Sequence, residues 1–204
     1  PATVALSAIA GKIVDPRGTT HQDKFPYQKE QSLSVEINES DNRRLDGIWN
    51  YTDVDNLNTD QMFAGNLTYN VLSSDGEAIM PHLFEGFDKN FRKNVSAGDI
   101  ILAGDNFGCG SSREHPAVGL AYAGVKAVIV KSVNRIFYRS AINQGLLLIV
   151  NREIVDAYKA GDSLSVDFEH GIAKLNDLEF KIPPLPEKLM QIIEKKGLVK
   201  FLSA

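Results

Sequence analysis

The run Gly104-Asp105-Asn106-Phe107-Gly108-Cys109-Gly110-Ser111-Ser112-Arg113-Glu114-His115 decides how the rest of the chain is read. It follows an apolar, strand-like tetrapeptide, Ile100-Ile101-Leu102-Ala103, and leads into a helix-like segment, 116–123, closed by Gly124. Glycine lets a backbone turn sharply and come close to a ligand. Two hydroxyls and an arginine then stand where the helix is expected to begin. Unpaired N–H groups at a helix start favour an anion. The residues alone leave two readings open. One is a strand–loop–helix cradle for a carboxylate or phosphate; the other is a tight turn with serine capping a helix.

Beyond the loop, 126–130 reads as a buried strand. Ser132 is placed to cap a helix over 133–144 with Gly145 as its stop, and 146–150 is a second buried strand. Asn151 caps a short helix ending near Gly161. Leu164, Val166 and Phe168 then alternate as a strand in a meander that runs through Phe180 and Ile182, with turns at His170-Gly171 and Asn176-Asp177. Pro183-Pro184 breaks it, and an amphipathic helix over 186–196 stops at Gly197. Ahead of the loop, Phe84, Phe87 and Phe91 are spaced for one face of a helix over 81–94. The stretch 53–60 is rich in turn formers, and Ile48-Trp49-Asn50-Tyr51 is a short strand. Two further strands are expected at 9–14 and 33–37, with a polar connector at 41–44. The strand–helix alternation from 100 to 150 implies right-handed parallel crossovers, and the later meander is antiparallel. The expected fold class is α/β with a mixed sheet. Ligands of such sheets sit at the carboxyl ends of the strands, where the 104–115 loop lies.

A chain of 204 residues, 43% hydrophobic, is large enough for a substantial core. Its net charge of −4 argues against nucleic-acid binding. No apolar run reaches the ~20 residues of a membrane span, and the apolar start lacks a basic leader, so a cytoplasmic location is expected. Cys109 is the only cysteine, which excludes an internal disulfide. The histidines at 21, 82, 115 and 170 are dispersed, so no metal site is expected from them.

The run 108–115 resembles the signature of the swivelling domain of the aconitase superfamily. With cysteine after its first glycine, it is most similar to the family of 3-isopropylmalate dehydratase small subunits. Supporting matches are Asn58-Thr59-Asp60-Gln61, Ala97-Gly98-Asp99-Ile100-Ile101, Ser132-Val133-Asn134-Arg135-Ile136-Phe137-Tyr138-Arg139 and Asn143-Gln144-Gly145-Leu146, so the resemblance covers roughly 47–182. It implies a three-layer β/β/α swivelling domain over 46–204, with 1–45 as an amino-terminal extension that it does not explain. It also implies a hydro-lyase that removes and re-adds water on a small hydroxy-diacid. Ser111 would then take the α-proton as an alkoxide, stabilised by helix-start N–H groups and Ser112. Arg113 would grip a substrate carboxylate, with Gly110 beside it, and Asp60 would orient the catalytic partners, unless it is merely a cap or turn aspartate. The family's [4Fe–4S] cluster needs three or four cysteines. This chain would therefore bind none and would work with a large subunit that carries the cluster. A redox role for Cys109 is the lesser reading.

The resemblance also assigns the variable substituent of the substrate to the loop ending at Tyr69. No lysine or arginine occurs between Arg44 and Lys89, so a third carboxylate would find no cation there. That favours isopropylmalate or another substituted malate over a tricarboxylate. The family usually has proline and then Arg-Tyr-Leu in this loop, where this chain has Ala64 and Asn66-Leu67-Thr68. The rival is accordingly a paralogous hydratase of a methyl- or dimethyl-substituted diacid such as citraconate or dimethylmalate. A non-catalytic carboxylate-binding module is a more distant alternative.

Overall fold

A computed structural model describes residues 7, 10–12, 37, 41–168 and 170–203. Contacts divide the chain into two compact units, Pro1–Leu33 and Ser34–Ala204. In the first, Ser7 and Ala10 are helical and Gly11 turns the chain at φ 64°, so the described part of 9–14 is not the expected strand. The strand expected at 33–37 lies outside the described residues except for Ile37, which is buried and donates its N–H to the Phe87 carbonyl at 2.9 Å.

The second unit is built on a five-stranded sheet of β1 (Arg44–Leu45), β2 (Ile48–Tyr51), β3 (Ile100–Ala103), β4 (Ala127–Val130) and β5 (Leu148–Val150), in that spatial order. β1 and β2 form an antiparallel hairpin whose two turn residues, Asp46 and Gly47, both have positive φ (50° and 79°). This is the twist-matched turn that Asp-Gly favours. β2 to β5 are parallel. The crossovers carry α1 (Thr59–Met62), α2 (Gly76–Ile79), α3 (Phe91–Asn94), α4 (His115–Tyr122) and α5 (Arg135–Asn143). Parallel crossovers that all step in one direction put their helices on one face.

Side chains on successive strand residues point to opposite faces. Trp49, Tyr51, Ile101, Ala103, Val128 and Val130 thus join the core that contains Ala117 and Leu120 of α4 and Phe137 and Ala141 of α5. Ile48, Ile100, Leu102, Ala127 and Ile129 join a second core on the other face. That core is completed by Ile154 and Val155 of α6 (Arg152–Ala157) and by an antiparallel sheet of β6 (Leu164–Asp167), β7 (Ile172–Leu175) and β8 (Leu178–Lys181). The helices α7 (Glu187–Glu194) and α8 (Leu198–Leu202) follow. The layers are therefore small sheet, main sheet and helices, the expected β/β/α arrangement with mixed strand directions.

Two local expectations are corrected. The segment 81–94 is not one helix: Phe84 has φ 59°, and only Phe91–Asn94 is α-helical. The buried Asp88 explains the break. It accepts the Tyr51 hydroxyl at 2.9 Å and the Asn90 N–H at 2.9 Å, so the backbone wraps around the carboxylate instead of continuing straight. Phe84, Phe87 and Phe91 still reach one core, with Phe84 and Phe91 stacked at 4.3 Å. Ser132 does not cap α5. Asn134 does, accepting from the Ile136 N–H.

Candidate functional site

The carboxyl ends of the four parallel strands meet in one polar cluster. After β3, the Gly104 N–H bonds the Val54 carbonyl at 3.0 Å, and the Asn56 N–H bonds the Asp105 carbonyl at 2.8 Å. The Asp105 N–H donates to the Asp55 carboxylate at 2.7 Å, which joins the loop after β2 to the loop after β3. The Asp105 carboxylate accepts Arg152 Nη2, just past β5, at 2.6 Å and Ser132 Oγ, just past β4, at 2.8 Å. Arg152 first and Ser132 second hold this carboxyl below its ordinary value. Ser132 Oγ also accepts the Asn106 N–H at 2.8 Å, and its carbonyl accepts the Phe107 N–H. From the sequence, Ser132 reads only as a helix cap, Asp105 only as a member of the loop, and Arg152 has no assigned role. The readable signal is a polar residue two positions past the end of each of these buried strands.

Past this clamp the loop turns at Gly108, where φ is 70° and a Cβ would collide with the Phe137 ring. Only glycine satisfies both conditions. The loop then runs beside α1. Thr59 donates its N–H to the Cys109 carbonyl at 2.9 Å and its hydroxyl to the Ser111 carbonyl at 3.0 Å. A capping box in which Asn58 and Gln61 exchange hydrogen bonds secures α1, so the cap is Asn58 and not Asp60. Asp60 instead pairs with Arg113 Nη2 at 2.5 Å, and Arg113 Nη1 donates to the Phe63 carbonyl at 3.1 Å. The Arg113 side chain is 14% exposed, that of Asp60 54%. Gly65 lies against this pair: a Cβ there would sit 2.9 Å from the Asp60 carboxylate and 3.2 Å from the guanidinium.

The structure thus brings Asp60, Gly110, Ser111, Ser112 and Arg113 to one ledge. Gly110, Ser111 and Ser112 are exposed. Among the described residues, the Ser111 and Ser112 hydroxyls make no hydrogen bond, and the backbone N–H groups of 110–113 donate to no acceptor. The helix-start donors expected for Ser111 are displaced. α4 begins at His115 with Glu114 at its N-cap position, and Ser111 lies in a bend four residues earlier. The available donors near Ser111 are therefore the loop's own N–H groups, which no acceptor among the described residues engages. Tyr69 is not gathered into the ledge. It ends the 3₁₀ turn Gly65–Tyr69 and is 91% exposed.

His115 holds the ledge from beneath. Its ring stacks on Phe63 at 4.9 Å, and Nε2 donates to the Val71 carbonyl at 3.0 Å. Cys109 is half-buried, with its thiol 3.5 Å from the Asn56 carbonyl, and burial pushes the thiol up, away from a reactive thiolate. As a host for an iron–sulfur cluster the chain does not fit. It has one cysteine, and among the described residues no group of three or more His, Cys, Asp or Glu is placed to hold a metal ion.

The family model of the aconitase C-terminal domain matches residues 21–153. The chain belongs to that family. Among its relatives is the 3-isopropylmalate dehydratase small subunit of Caldanaerobacter subterraneus subsp. tengcongensis, 40% identical over 150 residues, 72% of this chain and 91% of that protein. Another is the 3-isopropylmalate dehydratase small subunit 1 of Archaeoglobus fulgidus, 44% identical over 149 residues, 72% of this chain and 90% of that protein. The solved structure of a 3-isopropylmalate dehydratase (leuD) from Methanocaldococcus jannaschii superposes with a TM-score of 0.65 at 37% identity, covering 73% of this chain and 87% of that one. As an aconitase C-terminal domain, the chain carries its Gly-Ser-Ser-Arg loop at the carboxyl edge of the parallel sheet, within the matched region. No helix among the described residues is long and apolar enough to cross a membrane.

Proposed function

We propose that this chain is the small subunit of a hydro-lyase that dehydrates and rehydrates a substituted malate, with isopropylmalate isomerisation as its reaction. The observation that carries the reading is the ledge itself. It is fastened to α1 and to the segment after it, yet Ser111, Ser112 and the N–H groups of 110–113 have no partner among the described residues. A loop that only turned the chain would not need two exposed hydroxyls beside an arginine held by an acid. A large subunit would supply the iron–sulfur cluster and close the site, in the cytoplasm, on a small hydroxy-diacid.

In this reading Ser111 accepts the proton α to a carboxylate. A serine hydroxyl is too weak an acid to act at neutral pH unless its oxyanion is stabilised. The unengaged N–H groups of the bend and the Ser112 hydroxyl are the donors this chain offers, and covering the ledge would strengthen them by excluding water. Arg113 keeps donors beyond the two it gives to Asp60 and Phe63. These would hold the substrate carboxylate and the charge that spreads into it as the proton leaves. Asp60 sets the guanidinium's plane.

The substituent of the malate would face the turn Gly65–Tyr69, where Asn66 and Tyr69 are exposed and Thr68 is tied to the Gly65 carbonyl at 2.7 Å. None of these groups neutralises a third carboxylate, which supports an uncharged substituent. The test is a substrate panel on the complex with its large subunit, comprising 3-isopropylmalate, citramalate, dimethylmalate and homocitrate. Isopropylmalate is expected to turn over fastest. A preference for dimethylmalate or citramalate moves the assignment to the paralogous hydratases, and a preference for homocitrate overturns the argument from the turn. Ser111→Ala is expected to lower kcat by about 10²–10⁴-fold. An unchanged kcat removes Ser111 from the proton transfer.

A further inference from the structure

Seven arginines lie among the described residues, and five of them face a carboxylate within the chain. Arg43 pairs with Asp41 and Asp53, Arg44 with Asp99, Arg92 with Glu85, Arg113 with Asp60 and Arg152 with Asp105. Arg135 and Arg139 make no ion pair among the described residues, although the chain as a whole is acidic at net −4. They stand one turn apart on α5, and both are exposed. At 100° per residue they share an arc with Ile136, 49% exposed, and the exposed Asn143. The opposite side of the helix buries Phe137 and Ala141. The stripe therefore faces away from the core.

Its position is fixed relative to the ledge. The Asn134 N–H, at the head of α5, donates to the Phe107 carbonyl at 2.9 Å, and the Phe137 ring lies directly under Gly108. The first turns of α5 thus flank the loop that ends in Ser111. Whatever covers that loop also meets this stripe.

We infer that the Arg135–Ile136–Arg139 face of α5 is a docking surface for an acidic patch on the large subunit, beside the shared active site. The inference rests on the reading of the chain as the small subunit of a two-chain enzyme and adds where and by what chemistry the chains meet. Two guanidiniums with no carboxylate partner among the described residues, on an acidic chain, call for carboxylates from outside. Arginine is the cation enriched at protein interfaces because its planar fork binds carboxylates bidentately and desolvates more readily than an ammonium. A single exposed isoleucine carries no weight alone, but between two such arginines it supplies the apolar centre that a charged rim surrounds.

The test titrates the large subunit onto the small one. Binding is read by analytical ultracentrifugation and, separately, by the activity of the complex. Arg135→Glu/Arg139→Glu is expected to weaken binding by about 10²-fold or more, since like charges are then set opposite each other. The salt dependence of binding should become shallower, and Arg135→Lys/Arg139→Lys should restore most of the loss. Both positions are exposed, so the thermal midpoint of the isolated chain should not move. At saturating large subunit, kcat of the charge-reversed complex should match that of the parent within about twofold. Unchanged binding overturns the inference, and so does normal binding with a collapsed kcat at saturation, which would place these arginines on the substrate. If binding depends on the arginines but the complex dehydrates none of the malates, the docking surface stands and the proposed reaction falls. If the complex is active and indifferent to the charge reversal, the reaction stands and the surface falls.

Discussion

Two aspartates bracket β3. Asp99, at its amino end, is 3% exposed and accepts two parallel bonds from Arg44 at 2.8 Å, the Trp49 indole N–H at 2.9 Å and the Ser96 N–H at 3.0 Å. Asp105, just past its carboxyl end, accepts Arg152 and Ser132 at similar distances but at the surface. Burial opposes the charge on Asp99, yet Arg44, the Ser96 N–H and Trp49 together outweigh it and hold the carboxyl below its ordinary value. The same pairing chemistry thus does different jobs at the two ends of one strand. At the amino end it is shielded from water and fastens the hairpin β1–β2 to the core. At the carboxyl end it is screened, adds little to stability, and fixes where the Gly108–Ser111 bend begins.

The sharpest way to break this contrast is Asp99→Ala. It leaves Arg44 and the Trp49 N–H without their acceptor and should cost about 3 kcal/mol. Denaturant melts should show a lower midpoint at an unchanged slope, while activity per folded molecule in the complex is retained. Asp105→Ala should do the reverse. Its melting midpoint stays in place, and kcat of the complex drops about tenfold, in line with a small misplacement of the Gly108–Ser111 bend that the proposed reaction needs. If the two variants behave alike, the contrast is wrong.

Acid titration sharpens it further. A carboxyl depressed in the folded state contributes stability that is full above its unfolded value of about 3.9 and is lost as pH falls through the lower folded value. The parent should therefore lose stability with falling pH below about 5, and Asp99→Ala should lose less over the same window. The smallest expected effect is that of Cys109→Ala, which lies beyond Asp105 on the same loop. With the thiol pushed up by burial, kcat should stay within about twofold. A loss as large as that of Asp105→Ala would mean that loop packing, and not the Asp105 clamp, sets the geometry.

The fold was readable where burial runs through a whole strand. Ile100–Ala103 and Ala127–Val130 are apolar at every position because both faces are covered, and they announce a layered parallel sheet. The phenylalanines at 84, 87 and 91 misled because helical spacing and a turned chain can bring the same three rings together. Only the buried Asp88 distinguishes the two, and its role depends on Tyr51, 37 residues away. Ser132 and Asn134 are both good caps by type, and the loop competes for the first. In the site, each half of the Asp60–Arg113 pair could be read within its own motif, but the pairing spans 53 residues. The Arg152–Asp105 clamp spans 47 and has no local signature.

The order of the main sheet has one more consequence. β2 to β5 succeed one another across it without reversal, so no seam opens between two oppositely wound halves, the place where α/β sheets usually form a crevice. Among the described residues, the carboxyl edge offers an open floor, with Gly110, Ser111 and Ser112 exposed. Ligand sites bury about 70–90% of a small molecule's surface, and a floor leaves one whole side of a diacid in water. In the proposed two-chain enzyme, substrate capture and subunit closure are then a single event, and affinity for the diacid is a property of how long the roof stays on.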